Sequence, residues 1–390
     1  MLVSKKRIKN RFQVALLLET SNAYCRGLLA GINGYLRENE PWSIFLGEYS
    51  RGQARPSWIR NWQGDGIIAR IENEATAKAV AASHLPAVDV SAARLLPKLC
   101  WVETDDAAIA TLALDHLQGC GFTHLGFCGA DFNWSRWRCE KFTALANQRN
   151  LDCHVYKPRY KTKQPTWESE QNNLGRWLTS LPKPIGIMAA YDIRGQQLIE
   201  ACRRQGMLIP EEIAVIGVDN DTLLCDMCDP PLSSVIPDTY RTGYQAADIL
   251  VRLMTGHKPK QNTTLVKPLG IAKRRSTDIY AITDPEIGKA MHYIQQYSCD
   301  GIQVADVLRT MSMSRRIFER RFLQIVGHSP HEEIQRVRIE RIKMLLMETD
   351  LSLAEIAKRT GFEYVNYLSY NFKRRTGQTP NQFRKQYHNQ

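Results

Sequence analysis

Two rhythms of apolar residues divide this chain. Through about residue 280, short β-branched runs at 14–18, 42–46, 66–69, 86–90, 124–128, 185–190 and 214–218 alternate with helical periods at 27–38, 107–118, 140–149, 196–205 and 244–255. Strand, crossover helix and strand in succession predict parallel sheets buried on both faces. Two doubly wound lobes house this many strands better than one sheet. Beyond residue 280 the short runs stop, and the helical periods that remain occur twice, about fifty residues apart.

The first copy runs from Val304 to Leu308, resumes at 314–322 with Phe322 as its last residue, and closes on Gly327 and Pro330. The second runs from Leu353 to Ala357, resumes at 364–372 with Phe372 last, and closes on Gly377 and Pro380. A short helix, a break, a second helix and Gly/Pro punctuation is how a helix-turn-helix reads. Two such units predict a grip on DNA in two places. The helix between them, 331–348, would span about 27 Å at about 1.5 Å per residue. One turn of DNA is about 34 Å, so both second helices can reach successive major grooves. A spacer somewhat shorter than a turn favours bent DNA.

Charge supports a polyanionic partner. The chain of 390 residues carries net +12, and from Glu286 onward there are 17 Lys and Arg against 11 Asp and Glu. Basic surface raises affinity for any polyanion by releasing counterions, and here it coincides with the helical repeat. The length exceeds one compact core and predicts about three units. No apolar run approaches the roughly 20 residues of a membrane helix. The basic start is followed by only a short apolar run at 14–18 without a small-residue cleavage site, so no signal peptide is expected and the protein should stay in the cytosol. Ten cysteines lie without a regular framework, as thiols of a reducing compartment do. The one tight pair, Cys225 and Cys228, lacks two further ligands for zinc and reads as two partly buried thiols in a loop. No phosphate loop, nucleophile elbow or His-Glu-x-x-His is present, so neither an enzyme nor a metal or organic cofactor is expected.

At the helical repeat the chain resembles the AraC/XylS family of bacterial transcription regulators: Phe, four residues, Gly, two residues, Pro ends both copies, and 338–346 matches the family's connecting helix. Ordered phrases in the first part, among them RGLLAGI at 26–32, TDD at 104–106, Arg138 with Phe142, Tyr191-Asp192 and IPEEIAVIGVD at 209–219, resemble the effector domain of the LacI/GalR family, itself similar to periplasmic sugar-binding proteins. That family's own DNA-binding headpiece is missing at the front, and the reader of DNA stands at the other end. Sensor and reader in this order, with the segment 274–294 between them, resemble bacterial regulators that respond to pentoses. The resemblance implies an activator of xylose-utilisation genes with D-xylose or a related pentose as effector, a homodimer, and RNA polymerase as a partner. The alternatives are a regulator responding to another sugar and an architectural DNA-binding protein with a vestigial sensor. The expected division is a sensor at 1–278, a linker at 279–286 and a reader at 287–390. Within the sensor, one lobe would take about 11–104 plus 238–256, and the other about 106–236 plus 263–272.

Ligands of open parallel sheets sit beyond the carboxyl ends of the strands, which singles out Asn22, Tyr24, Ser91, Trp134, Trp137, Arg138, Tyr191, Asp192 and Asp219. The resemblance implies sugar contacts for Arg138, Tyr191, Asp192 and Asp219. Arginine offers a rigid fork of donors, a carboxylate accepts from two adjacent hydroxyls, and an aromatic ring covers an apolar sugar face. In the first repeat Ile317, Phe318 and Phe322 are expected inward, with Arg316, Glu319 and Arg320 outward. By the family pattern these three enter the major groove, where arginine pairs with guanine and glutamate accepts from cytosine. In the second repeat the outward set is Val365, Asn366, Ser369 and Tyr370, with Asn366 suited to adenine. Lys373, Arg374 and Arg375 are expected on phosphates.

Overall fold

The computed structural model describes residues 11–47, 57–158, 166–257, 262–278, 284–349 and 351–388. Two compact units emerge, Met1–Gln205 with Ala214–Asp278, and Ile279–Gln390 with the short segment Gly206–Ile213. The first is the sensor. Its first lobe holds β1 (Gln13–Leu17), α1 (Ala23–Glu38), β2 (Ser43–Leu46), β3 (Gly66–Ala69), α2 (Glu74–Ser83), β4 (Ala87–Asp89) and β5 (Cys100–Thr104). The chain then crosses to the second lobe: α3 (Asp106–Gly119), β6 (His124–Cys128), α4 (Asn133–Gln148), β7 (Cys153–Tyr156), α5 (Trp167–Thr179), β8 (Ile185–Ala189), α6 (Asp192–Arg204), β9 (Ile213–Val218), α7 (Thr222–Met227) and β10 (Ser233–Ile236). It returns for α8 (Thr239–Met254) and β11 (Thr263–Val266), and crosses again to β12 (Gly270–Ala272).

Each lobe is a six-stranded sheet, ordered β11-β5-β4-β3-β1-β2 and β12-β10-β9-β8-β6-β7. The first is parallel throughout, whereas β12 runs antiparallel to β10 in the second. Burial on both faces explains the unbroken apolar runs. In β1, Val14 and Leu16 join the core under α1 and α8 while Ala15 and Leu17 join the core under α2. Glycine sets the approach of α1 to α8: a Cβ on Gly31 would lie 1.9 Å from the Tyr240 carbonyl oxygen, and one on Gly243 2.0 Å from that of Leu28.

Three expectations need correction. Residues 263–266 were assigned to the second lobe, but β11 pairs parallel with β5 and so belongs to the first. The edge of a parallel sheet accepts a strand from any point in the chain, and sequence order does not fix which sheet. Cys225 lies in the short helix α7 and Cys228 caps it, both buried, rather than in a loop. Ile317 is 42% exposed, because Phe318 and Phe322, one helical turn apart, define the inward stripe and turn their neighbour outward. Strands β5, β7, β10, β11 and β12 and helices α2, α5 and α7 are additions to the predicted elements.

The second unit is helical: α9 (Pro285–Tyr297), α10 (Val304–Arg309), α11 (Arg315–Val326), α12 (Pro330–Glu348), α13 (Leu353–Arg359), α14 (Val365–Thr376) and α15 (Pro380–His388). Gly327 and Gly377 end α11 and α14 with φ of 86° and 78°, the left-handed cap that glycine adopts without a Cβ penalty. Capping boxes start α12 (Ser329 with Glu332) and α13 (Ser352 with Glu355), each satisfying two otherwise orphaned amides. One core gathers Ile287, Ile294, Val307, Phe318 and Phe322, and a second gathers Ile342, Leu346, Ile356, Leu368 and Phe372. Arg338 on α12 joins the two motifs. Its Nε and Nη2 donate to the carbonyls of Ser298 (2.7 Å) and Ile302 (2.9 Å), and its guanidinium lies 5.6 Å from the Phe362 ring centroid.

Candidate functional site

A cavity between the sensor lobes is lined by Tyr24, Arg70, Ala92, Glu103, Asp106, Trp134, Arg138 and Asp219, with about 340 Å³ of empty space counting its mouth. Its residues come from the ends of strands and the first turns of the helices that follow. Asp105 caps α3 by accepting from the amides of Ala107 (3.0 Å) and Ala108 (3.1 Å). That turn leaves Asp106 facing Arg138 on α4, whose Nε and Nη2 both reach its Oδ1 at 2.8 Å. Arg138 also donates to the Ala190 carbonyl at 2.5 Å and lies 5.4 Å from the Trp134 ring centroid, so its fork is held before any ligand arrives. Trp134 stacks on Phe132 and meets Tyr191 edge-on.

The opposite wall belongs to the first lobe. The Tyr24 hydroxyl donates to Glu103, and Arg70 stands 5.1 Å from the Tyr24 ring while pairing with Glu19 (3.1 Å) and Glu72 (2.7 Å). Burial pushes the Glu103 carboxyl up to about 8, against the hydrogen bond from Tyr24 and the charge of Arg70. Back in the second lobe, Asp219 follows β9 with φ of 107°, in a region where a non-glycine residue is strained, and Asn220 follows at 48°. The lining thus carries three carboxyl groups, Glu103, Asp106 and Asp219, with two fixed guanidinium groups, Arg70 and Arg138. Such a set can donate to and accept from several hydroxyls while Tyr24 and Trp134 supply ring faces.

Of the residues singled out in the sequence, the structure brings Tyr24, Trp134, Arg138 and Asp219 to this cavity. The others spend their hydrogen bonds nearby. Asn22 caps α1, accepting from Cys25 N at 2.8 Å and donating to Glu19 at 3.2 Å. Ser91 is fully buried, its hydroxyl donating to the Ile71 carbonyl at 3.0 Å. Trp137 stacks outside the lining on Arg94, which stands 4.4 Å from its centroid and 3.7 Å from that of Trp101. Tyr191 is the N-cap residue of α6 and supports Trp134. Asp192 is buried beneath the cavity, accepting from the Ser234 hydroxyl (2.6 Å) and the Asp221 amide (2.7 Å), and burial together with the charge of Asp219 raises its pKa. Sequence reasoning missed Arg70, Ala92, Glu103 and Asp106. Arg70 directly follows a predicted strand run, so the strand-end rule could have found it; Asp106 follows β5, which was not among the predicted strands.

The reader presents two outward faces. On α11, Arg316 and Arg320 are exposed, and Glu319 pairs with Arg315 at 2.8 Å. Arg316, Glu319, Arg320 and Leu323, spaced one helical turn apart, line an open groove with Gln303, Ser329 and His331 from the starts of α10 and α12. On α14, Asn366 and Tyr370 are exposed and Ser369 half-buried, Val365 packs on the core, and Lys373, Arg374 and Arg375 are exposed in the last turn. Among the described residues no group of three His, Cys, Asp or Glu is placed to hold a metal ion, and no helix is long and apolar enough to cross a membrane.

A polar cavity between two doubly wound lobes, joined in one chain to twin helix-turn-helix motifs, defines a ligand-responsive transcription regulator. The chain is 33% identical over 383 residues to the xylose operon regulatory protein of Escherichia coli, covering 96% of this chain and 97% of that one. It belongs to the family of xylose operon regulatory proteins. The corresponding protein of Haemophilus influenzae is 32% identical over 96% of this chain and 98% of its own. Family matches fall in three blocks: the XylR N-terminal domain at 13–107, a periplasmic binding protein-like domain at 114–277 and a helix-turn-helix domain at 307–386. The solved structure of the xylose-binding transcription activator xylR superposes with a TM-score of 0.83 at 32% identity, covering 96% of this chain and 98% of that one. The cellobiose complex of the regulator CelR covers 68% of this chain and 85% of its own at a TM-score of 0.57 and 18% identity, a likeness of fold alone. These relatives are transcription regulators, not enzymes.

Proposed function

We propose that this protein activates xylose-utilisation genes when D-xylose binds between the sensor lobes. The observation that carries the reading is the lining of the cavity, on which the prearranged Arg138 fork, the carboxyl groups of Glu103, Asp106 and Asp219, and the rings of Tyr24 and Trp134 converge. Sugar that touches both lobes favours their closed arrangement by its differential affinity. Asn22, Ser91, Trp137, Tyr191 and Asp192 act behind this lining, holding the groups that touch sugar. The reader takes operator DNA through Arg316, Glu319 and Arg320 in one major groove and Asn366, Ser369 and Tyr370 in the next, with Lys373 and Arg374 on phosphates. The division into sensor at 1–278, linker at 279–286 and reader at 287–390 is part of the same proposal, as are a cytosolic homodimer and recruitment of RNA polymerase.

The test is calorimetric titration of the full chain with D-xylose, L-arabinose, D-ribose and D-glucose. D-xylose binds tightest on this reading. Another sugar that binds at least about tenfold tighter, a difference of about 1.4 kcal/mol, reassigns the effector, and no binding by any of the four removes the sensor role.

A further inference from the structure

The last described turn of the sensor, Arg275–Thr277, is wired into the sheet that ends at the cavity. The Ser276 hydroxyl donates to the Val215 carbonyl of β9 at 2.6 Å and accepts from the Ser233 amide at 2.8 Å. The Ser233 hydroxyl accepts from the Arg274 amide (2.8 Å) and from the Thr277 hydroxyl (2.7 Å), and sends its own proton to the Arg274 carbonyl (2.8 Å). Thr277 in turn accepts from His116 Nε2 at 2.7 Å, which fixes the tautomer of that ring. Burial, then the charge of Lys273, lowers the His116 pKa and keeps the ring neutral. The exit of the sensor therefore moves with β9 and β10.

One side chain does more than anchor. From the same exit, Arg274 reaches back to the loop that leaves the cavity: Nη1 donates to Asn220 Oδ1 at 2.9 Å and to the Leu232 carbonyl at 3.2 Å, and Nε donates to Asp226 Oδ1 at 2.7 Å. It thus holds both ends of the segment 220–226. Asn220 is the residue after the cavity-lining Asp219, and both have positive φ, so the turn between β9 and α7 sits in a conformation its own backbone preferences do not favour. A ligand that shifts Asp219 must carry Asn220 with it, and the guanidinium is the group that feels the change.

We propose that Arg274 is the positioning residue through which occupancy of the cavity reaches the reader, by tying the segment 220–226, the turn after Asp219 and most of α7, to the sensor's last turn. The inference rests on the sugar reading of the cavity. Arg274 lies outside the cavity lining, so removing it uncouples the two activities rather than abolishing either. The test uses the full chain, D-xylose, and a DNA duplex selected by the wild-type chain from a random pool in the presence of D-xylose. Two quantities are measured for wild type, Arg274→Gln, Arg274→Lys and Asp226→Asn: D-xylose affinity by calorimetry, and the sugar-dependent change in DNA affinity or protection pattern.

Arg274→Gln should bind D-xylose within about threefold of wild type, while the coupling factor, commonly about 5 to 150, falls close to one. Arg274→Lys should keep part of the coupling. Asp226→Asn, altered at an exposed partner where folding is not at risk, should lower it to an intermediate value. A simple structural role would move melting temperature and both affinities together. Full coupling in Arg274→Gln, with D-xylose binding intact, overturns the inference alone. A wild-type chain that ignores D-xylose overturns the sugar reading and takes this inference with it.

Discussion

The sensor and the reader handle charge in opposite ways. In the sensor, Asp89, Glu103, Arg138, Asp192 and Arg194 are buried and face other protein groups. In the reader, Arg316, Arg320, Lys373 and Arg374 are exposed, and Arg338 and Glu333 are the buried charged groups of its framework among the described residues. Enclosed charge is strong and costly to disturb, because a lost partner leaves a desolvated group behind. Displayed charge does little for stability, and it is free to meet a large polyanion. Recognition of a small neutral ligand calls for the first arrangement and recognition of DNA for the second.

Four measurements test this contrast, beginning with the largest effect. Arg138→Ala strands Asp106 in the wall and should destabilise the sensor by about 3–5 kcal/mol, besides losing sugar affinity. All eight tryptophans precede residue 178, so tryptophan fluorescence in urea follows the sensor alone. Arg316→Ala should leave that transition unmoved.

The second effect is pH dependence. Burial pushes the folded-state pKa values of Asp89 and Glu103 up to about 7 and about 8. The unfolded chain gives up these protons near pH 4, so above that pH the folded state binds more protons and stability falls as pH rises through the folded values. Between about pH 7.5 and 8 His116, its pKa lowered in the folded sensor, is mostly neutral in both states and adds little slope, so the urea midpoint of the sensor should decline. In the reader, Glu332, Glu333 and Glu355 are shifted down. Their contribution is lost only on acidification below the ordinary carboxylate range, so circular dichroism of the reader's helices should stay flat over the same window. A reader that weakens in parallel with the sensor would break the contrast.

DNA binding comes third. Arg316→Ala and Asn366→Ala should each cost about 1–3 kcal/mol on a selected duplex and much less on random DNA, whereas Lys373→Ala should weaken both alike and reduce the salt slope by about one. Equal loss on both DNAs for Arg316→Ala would move that residue from base reading to phosphate clamping. The smallest effect belongs to the exposed pair of Arg315 and Glu319: Arg315→Ala should change reader stability by no more than about 0.5 kcal/mol.

The same contrast explains what could be read from the sequence. Core strands such as β1, β3, β8 and β9 are unbroken apolar runs, and the repeat of Phe, Gly and Pro places α11 and α14 by spacing alone. Strand β5 escaped because Glu103 stands inside it, a charge placed there by the cavity and not by the fold. Tyr24, Arg138 and Asp219 could be found from position, since strand ends face the cleft. Asn22, Ser91 and Asp192 occupy equally good positions, yet their side chains are consumed by caps and backbone groups. Only the three-dimensional partners distinguish the two cases. On the reader, exposure follows from helical period, so most outward residues were predictable, but Ile317, expected inward, is exposed, and Val365, expected outward, packs on the core.

The rigid helix α12, pinned to both motifs through Arg338, has a consequence for the genome rather than for the protein. Its 19 residues hold two faces of unlike chemistry, arginines with a glutamate on one and an asparagine with a tyrosine on the other, in a fixed order along one chain. A DNA segment read by both faces cannot be a palindrome at that scale: it has a head and a tail. Reversing such a segment beside a promoter would turn the bound protein end for end while leaving its affinity untouched.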